Sequence, residues 1–182
     1  MPHLQGSEKD LLARLKAGER SAFDEVMRRF HQPLLRLAAS ITGDRESGED
    51  VVQDAFFRFW QGIGQFNGRA SLSTYLYRIT LNRAVDRIRG RRRRDGAMNR
   101  FRHQVDAVVA SPAEKMERED LLHAALGMLP VKFKVPLLLL EVEQMAYREI
   151  ADVLGLTLNT VRSRVFRARE KMVATLRALE GS

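Results

Sequence analysis

Asp50 and Asp54 stand one helical turn apart and could together hold a metal ion, but no third ligand lies beside them in the sequence. His3, His31, His103 and His123 are scattered, without metal-ligand spacing. Cysteine is absent, which excludes a thiolate metal site, a Cys nucleophile and a disulfide scaffold. The phosphate-loop pattern G-x-x-x-x-G-K-S/T does not occur. No catalytic residues, no metal and no cofactor are therefore expected, and the chain does not read as an enzyme. The chemistry in surplus is that of arginine. The 182 residues carry 31 Lys+Arg against 23 Asp+Glu, a formal net charge of +8, which points to a polyanion such as DNA or RNA.

That charge is unevenly spread. Residues 1–86 are net +1, residues 87–115 are net +6 and residues 116–182 are net +1. The middle block opens with Arg87-Ile-Arg89-Gly-Arg91-Arg-Arg-Arg94. A second block lies between Thr160 and Arg177, where six basic residues face only Glu170. Two separated basic blocks predict two contacts on one polyanion. For Arg91–Arg94 a solvated charged face is an equally good reading.

Helices must position these groups. Hydrophobic residues make up 45% of the chain, too many for a disordered one. Phe23, Val26, Met27 and Phe30, then Leu34, Leu37, Ala38 and Ile41, recur at helical spacing. Pro33 predicts a kink or break near His31, and Thr42-Gly43-Asp44 ends the segment. Glu46 to Trp60 forms the next helix, with Val51, Val52, Ala55, Phe56 and Phe59 inward. Gly62, Gly64, Asn67 and Gly68 make a loop. Ser71 or Ser73 caps a helix that runs through Leu72, Tyr75, Leu76, Ile79 and Ile88 into the arginines. Periodicity is lost over 95–115, the expected linker, which contains Gly96 and Ser111-Pro112. Further helices are expected from about Pro112 to Met128, from Pro130 despite Pro136, over Tyr147–Leu154 and over Asn159–Leu179. The fold class is all-α: two small helical domains, 1–94 and 116–182, joined by a linker. No apolar run approaches the length of a membrane span, and Met1–Asp10 lacks the apolar core of an export signal, so a cytoplasmic protein without membrane insertion is expected.

The most specific local signal is a helix-turn-helix in the second domain. Ile150, Ala151 and Leu154 face inward on a short helix. Gly155 permits the left-handed corner, and Leu156 plugs it. Thr157 or Asn159 caps the next helix, which Val161 and Val165 pack back on the first. Arg162, Ser163, Arg164, Phe166 and Arg167 project outward. Such a helix enters the major groove with its N-terminal half, its arginines reaching guanine edges or phosphates.

These segments, taken in order, resemble the bacterial extracytoplasmic-function (ECF) sigma factors, the smallest RNA polymerase sigma subunits. The resemblance rests on Glu49-Asp-Val-Val-Gln-Asp-Ala-Phe-Phe-Arg-Phe-Trp60, Phe66-Asn-Gly-Arg-Ala-Ser71, Tyr75-Leu-Tyr-Arg-Ile-Thr-Leu-Asn82 and Asp86-Arg-Ile-Arg89 in the first domain. In the second it rests on Leu129-Pro130, Tyr147-Arg-Glu-Ile-Ala151 and Asn159-Thr-Val-Arg-Ser-Arg-Val-Phe-Arg-Ala-Arg-Glu170. Order and spacing together make it specific over nearly the whole chain. It implies a sigma region 2 domain over 1–94 and a region 4 domain over 116–182.

What the resemblance implies for the residues follows position by position. The Asp50–Trp60 helix is similar to the one that docks on the clamp helices of the largest catalytic subunit of core RNA polymerase. Asp50, Gln53, Asp54 and Phe57 can share an exposed face, part acidic and part apolar, that suits a partner helix. The loop Gln65–Ser71 is similar to the element that captures a flipped base of the promoter −10 element. Phe66 offers an aromatic face, Asn67, Ser71 and Asn82 offer hydrogen bonds, and Gly68 allows close approach of the backbone. Arg69, Arg78 and Arg83 would hold phosphates, and Tyr75, where many members have Trp, would stack at the duplex junction. Asn159, Thr160, Arg162, Ser163, Arg164, Phe166 and Arg167 would meet the −35 element. Implied partners are core RNA polymerase (the clamp helices and the flap of the second-largest subunit), promoter DNA and an anti-sigma factor. Pro136 and the run Leu137–Leu140 depart from the family pattern and would shift the packing or enlarge an apolar surface. The alternative is a stand-alone helix-turn-helix regulator whose first domain senses a ligand or dimerises.

Overall fold

A computed structural model describes residues 8–101 and 118–180. Eight α-helices and a single 3₁₀ turn account for the regular structure of these residues, and no strand occurs among them. The first bundle comprises α1 (Glu8–Lys16), α2 (Arg20–Thr42), α3 (Arg45–Gly62) and α4 (Leu72–Phe101). The second comprises α5 (Arg118–Met128), α6 (Val131–Glu141), α7 (Tyr147–Leu154) and α8 (Leu158–Glu180).

Local chemistry sets the ends of these helices. Gly43, at φ +95°, closes α2 in the left-handed region and donates its N–H to the Ala39 carbonyl at 2.8 Å. Asp44 then caps α3, its carboxylate accepting from the Ser47 N–H at 2.7 Å. That amide, and then the Ser47 hydroxyl, hold the Asp44 carboxyl below its ordinary value. The two helices cross closely at Gly48, where a Cβ would lie 2.8 Å from the Ala39 nitrogen.

Three sequence expectations change. Pro33 does not break α2, which is continuous from Arg20 to Thr42. A proline inside a helix costs about 3 kcal/mol. Phe30, Leu34 and Leu37 are fully buried around it, and such side chains contribute about 1.5–3 kcal/mol each. Gly96 likewise fails to end α4, which extends to Phe101, seven residues past the expected domain boundary. The remainder of the expected linker, 102–115, and the expected helix start at Pro112 lie outside the described residues.

The third change concerns α6. It contains Pro136, and Phe133 through Leu139 are all buried. No polar face is needed, because α6 packs on α8 within its own bundle and on α2 of the other. The apolar run is thus a seam between the bundles, not an exposed surface. Beside it the Tyr77 hydroxyl donates to the Glu143 carboxylate at 2.6 Å, both side chains buried. Burial, and then this carboxylate, push the Tyr77 phenol far above its ordinary range. Arg36 lies 3.8 Å from the same carboxylate. The Arg78 guanidinium donates to the Asp152 carbonyl on α7.

Candidate polymerase and nucleic-acid interfaces

The face expected to meet a protein forms as the spacing requires. Asp50, Gln53 and Phe57 are exposed on α3, and Asp54 is half-buried. Phe57 leaves 59% of its surface in solvent, and Trp60 beside it packs edge-on against Phe23 at 5.0 Å. The carboxylates are not alone. Arg87 lies 2.7 Å from Asp50, Arg83 lies 2.5 Å from Asp54, and Arg91 lies 3.5 Å from Asp44. Arg83, Arg87 and Arg91 recur every fourth residue, about 6 Å apart along α4, and face a descending series of aspartates on antiparallel α3. Arg58, one turn along α3, adds a second cation 3.3 Å from Asp54. The Arg83 Nε–H is not aimed at the carboxylate, so that contact is one of charge.

This ladder pairs Arg83 and two arginines of the first basic block inside the molecule. Arg83, expected at phosphates, is held by Asp54, and Arg87 and Arg91 are held by Asp50 and Asp44. The four-residue repeat of arginines was visible in the sequence. The aspartates that answer it are spaced six and four apart on another helix, which no local pattern reveals.

The 66–71 loop is built around an aromatic stack. Phe66 lies across Tyr75 at 4.9 Å with planes 26° apart, and Tyr75 continues to Phe59 at 5.9 Å. Phe66 is only 9% exposed, so most of the ring is core and one part faces outward. Gly62 leaves room for Tyr75 here, since a Cβ would fall 2.5 Å from the Tyr75 hydroxyl and one of the two would have to shift. Gly68 takes φ +72°. The Asn67 side-chain carbonyl accepts from the Arg69 N–H at 3.1 Å. Ser71, not Ser73, caps α4, accepting from the Thr74 N–H at 3.0 Å. Phe66, Asn67, Gly68, Arg69 and Ser71 line one cleft of about 520 Å³, whose opposite wall is Glu8, Lys9 and Leu12 of α1. The wall from α1 was missed, because nothing local links residue 8 to residue 72.

Arg78 and Asn82 do not line that cleft. They line a groove of about 470 Å³ between the bundles, together with Arg89, Lys132 and Arg164 and an apolar floor that includes Leu81, Val135 and Val153. One residue expected at the −35 element therefore shares a groove with two expected at the −10 element.

The helix-turn-helix forms as expected except that Val153 is buried on α7 while Leu154 is half-buried. Gly155 has φ +64° and donates to the Ala151 carbonyl. Ile150, Ala151, Val161 and Val165 are buried between the helices. Glu149 accepts from the Ala146 N–H at 2.8 Å, fixing the start of α7. Thr157, not Asn159, caps α8 by accepting from the Thr160 N–H at 3.2 Å. Asn159, Arg162, Ser163, Phe166 and Arg167 are exposed; Thr160 and Arg164 are half-buried. Among the described residues, Arg162, Arg164 and Arg167 have no acidic partner. Arg169, two positions further on, has one: Glu141 at 2.6 Å.

Comparison with known proteins agrees with this layout. The family model for sigma-70 region 2 matches residues 26–94, and that for sigma-70 region 4 matches residues 119–172. The RNA polymerase sigma-H factor of Pseudomonas aeruginosa is 32% identical over 186 residues, covering 96% of each chain. The ECF RNA polymerase sigma factor SigM of Mycobacterium tuberculosis is 32% identical over 170 residues, covering 93% of this chain and 85% of its own. CnrH, solved in complex with the cytosolic domain of CnrY, superposes with a TM-score of 0.72 at 27% identity, over 94% of this chain and 98% of its own. No described helix is long and apolar enough to cross a membrane. Bundles, helix-turn-helix and relatives converge, and the chain belongs to the ECF sigma factors of RNA polymerase.

Proposed function

We propose that the chain binds core RNA polymerase through Asp50, Gln53, Asp54 and Phe57, and directs it to promoters through two DNA contacts. The N-terminal half of α8 reads the −35 element, and the cleft at Phe66–Ser71 captures a base of the melted −10 strand. It is a cytoplasmic binding subunit without catalysis of its own. The observation that carries this reading is the open basic face of α8, with Arg162 and Arg167 exposed and without an acidic partner among the described residues, on a helix-turn-helix frame. CnrH is solved with a second protein bound, and an anti-sigma factor covering the corresponding surfaces is the partner proposed here.

The test is in vitro transcription from a genomic promoter pool with core polymerase, followed by sequencing of the start sites. Chain and core together should start at defined positions sharing two upstream motifs, and neither should do so alone. Tight binding to a palindromic duplex without polymerase, and no start-site selection with it, would overturn the reading in favour of a stand-alone regulator.

A further inference from the structure

We infer that Glu8 of α1 is a specificity residue of the −10 cleft, accepting a hydrogen bond from the exocyclic amine of a captured adenine or cytosine and so disfavouring thymine. The inference rests on the reading of that cleft as a base pocket. Helix α1 precedes the part of the chain that the region 2 model matches, which begins at residue 26. It is nevertheless anchored firmly, since Leu11 and Leu15 are each 1% exposed in the core. Glu8 sits in its first turn and crosses to the loop, where Oε1 accepts the Leu72 N–H at 2.5 Å. That bond spans 64 positions of sequence and holds the carboxylate at the wall of the cleft, which Glu8 lines. Leu12, one turn on, lines the same cleft near Gly68, where an added Cβ would lie 3.9 Å from it.

The cleft then has a complementary division of labour. The outward part of Phe66, backed by Tyr75, offers a surface for any base, and stacking of that kind does not discriminate. The exposed Arg69 and Lys9 at its rim suit the phosphates. Discrimination needs a group with one sense of hydrogen bonding, and a carboxylate only accepts. In one pose adenine and cytosine each present an amine that can donate to it, whereas thymine presents a carbonyl oxygen in the same place, with its N3–H set between two carbonyls.

The experiment is transcription with core polymerase from a promoter library randomised over the −10 element. Wild type is compared with Phe66→Ala, Glu8→Gln and Glu8→Ala. Glu8→Gln keeps a carbonyl oxygen for the Leu72 N–H and so keeps the helix cap, but adds an amide donor that thymine can accept. Wild type should disfavour thymine by about tenfold at one position, the scale of a hydrogen bond to a base edge. Phe66→Ala should flatten that position, and Glu8→Gln should admit thymine there while leaving −35 preferences as they were. Should Phe66→Ala affect no single −10 position, the pocket reading itself fails. Should Phe66→Ala flatten a position where both Glu8 variants still reject thymine, or where wild type accepts it, the pocket stands and the role of Glu8 is wrong.

Discussion

On α3 and α4 the exposed charges answer one another, whereas on the first turns of α8 they do not. Asp44, Asp50 and Asp54 each have an arginine of α4 within 3.5 Å. Arg162, Arg164 and Arg167 of α8 have no acidic neighbour among the described residues. Both stretches look similar in sequence, as charges spaced for one face of a helix. The difference is that one set is already engaged inside the molecule, while the other is held ready. Exposed ion pairs are worth only about 0.2–1 kcal/mol each, so the ladder can be exchanged for contacts with a partner protein. An unpaired cation, by contrast, meets a phosphate or guanine without first surrendering a bond.

The comparison breaks most sharply on α8. Arg162→Ala or Arg167→Ala should weaken binding of the polymerase complex to the −35 duplex by about 1–3 kcal/mol if the lost contact is to a base. A phosphate contact would show instead as a salt dependence shallower by about one unit per arginine. Titrations of a fluorescent promoter fragment at several salt concentrations separate these cases. Unchanged affinity and slope for both variants would remove the recognition-helix assignment.

A second variant would give α8 what α3 already has. Ser163→Glu places a carboxylate one turn before Arg167, the favourable order for an ion pair within a helix. The fold should be unaffected, since Ser163 is exposed. The −35 duplex should bind about three- to tenfold more weakly, from one neutralised cation and one added repulsion. Equal binding would mean that Arg167 is not at the DNA.

How much of this was readable beforehand differs along the molecule. The helix-turn-helix was legible almost residue by residue, because Gly155, Val161 and Val165 act through neighbours within a turn or two. Helix α3 was legible from the recurrence of Val51, Val52, Ala55, Phe56 and Phe59, and α4 from that of Leu72, Tyr75, Leu76, Ile79 and Ile88. Pro33 and Gly96 do not end their helices, since local propensity was outweighed at Pro33 by the burial of Phe30, Leu34 and Leu37, and at Gly96 was too weak to end a long helix. The pairing of Arg83 with Asp54 was hidden because the two are 29 positions apart in sequence. The same blindness to distant partners hid Glu8 beside Leu72 and α6 between α2 and α8.

The ladder can be loosened from its acidic side. Asp50→Asn and Asp54→Asn should each lower stability by only about 0.2–1 kcal/mol in denaturant unfolding. They should also release Arg87 and Arg83. The free protein should then bind non-specific single-stranded DNA more tightly, with a salt dependence steeper by about 0.7 per released arginine. If DNA binding stays the same while stability falls, the arginines are held by the packing of α4 and not by the aspartates.

The smallest effect is at the end of the ladder, and its sign follows from the position of Asp44. Its carboxyl is held below the ordinary value of 3.8, first by the Ser47 amide and hydroxyl and then by Arg91 and Arg87. A carboxyl with a depressed folded pKa binds its proton more readily in the unfolded chain. Its contribution is therefore complete above that ordinary value and is lost as the pH falls through the lower, folded one. Asn caps a helix about as well as Asp, so Asp44→Asn keeps the hydrogen bond and removes only the charge. The variant should be less stable by about 0.3–1 kcal/mol at neutral pH, the worth of a charge at an exposed helix N-terminus. Thermal unfolding of both proteins followed from neutral pH down into acid should show the gap closing as Asp44 takes up its proton. All other carboxylates titrate equally in the two proteins and cancel in the difference. A gap that stayed constant into acid would mean that the cap owes nothing to charge, and that Arg91 lies near Asp44 without stabilising it.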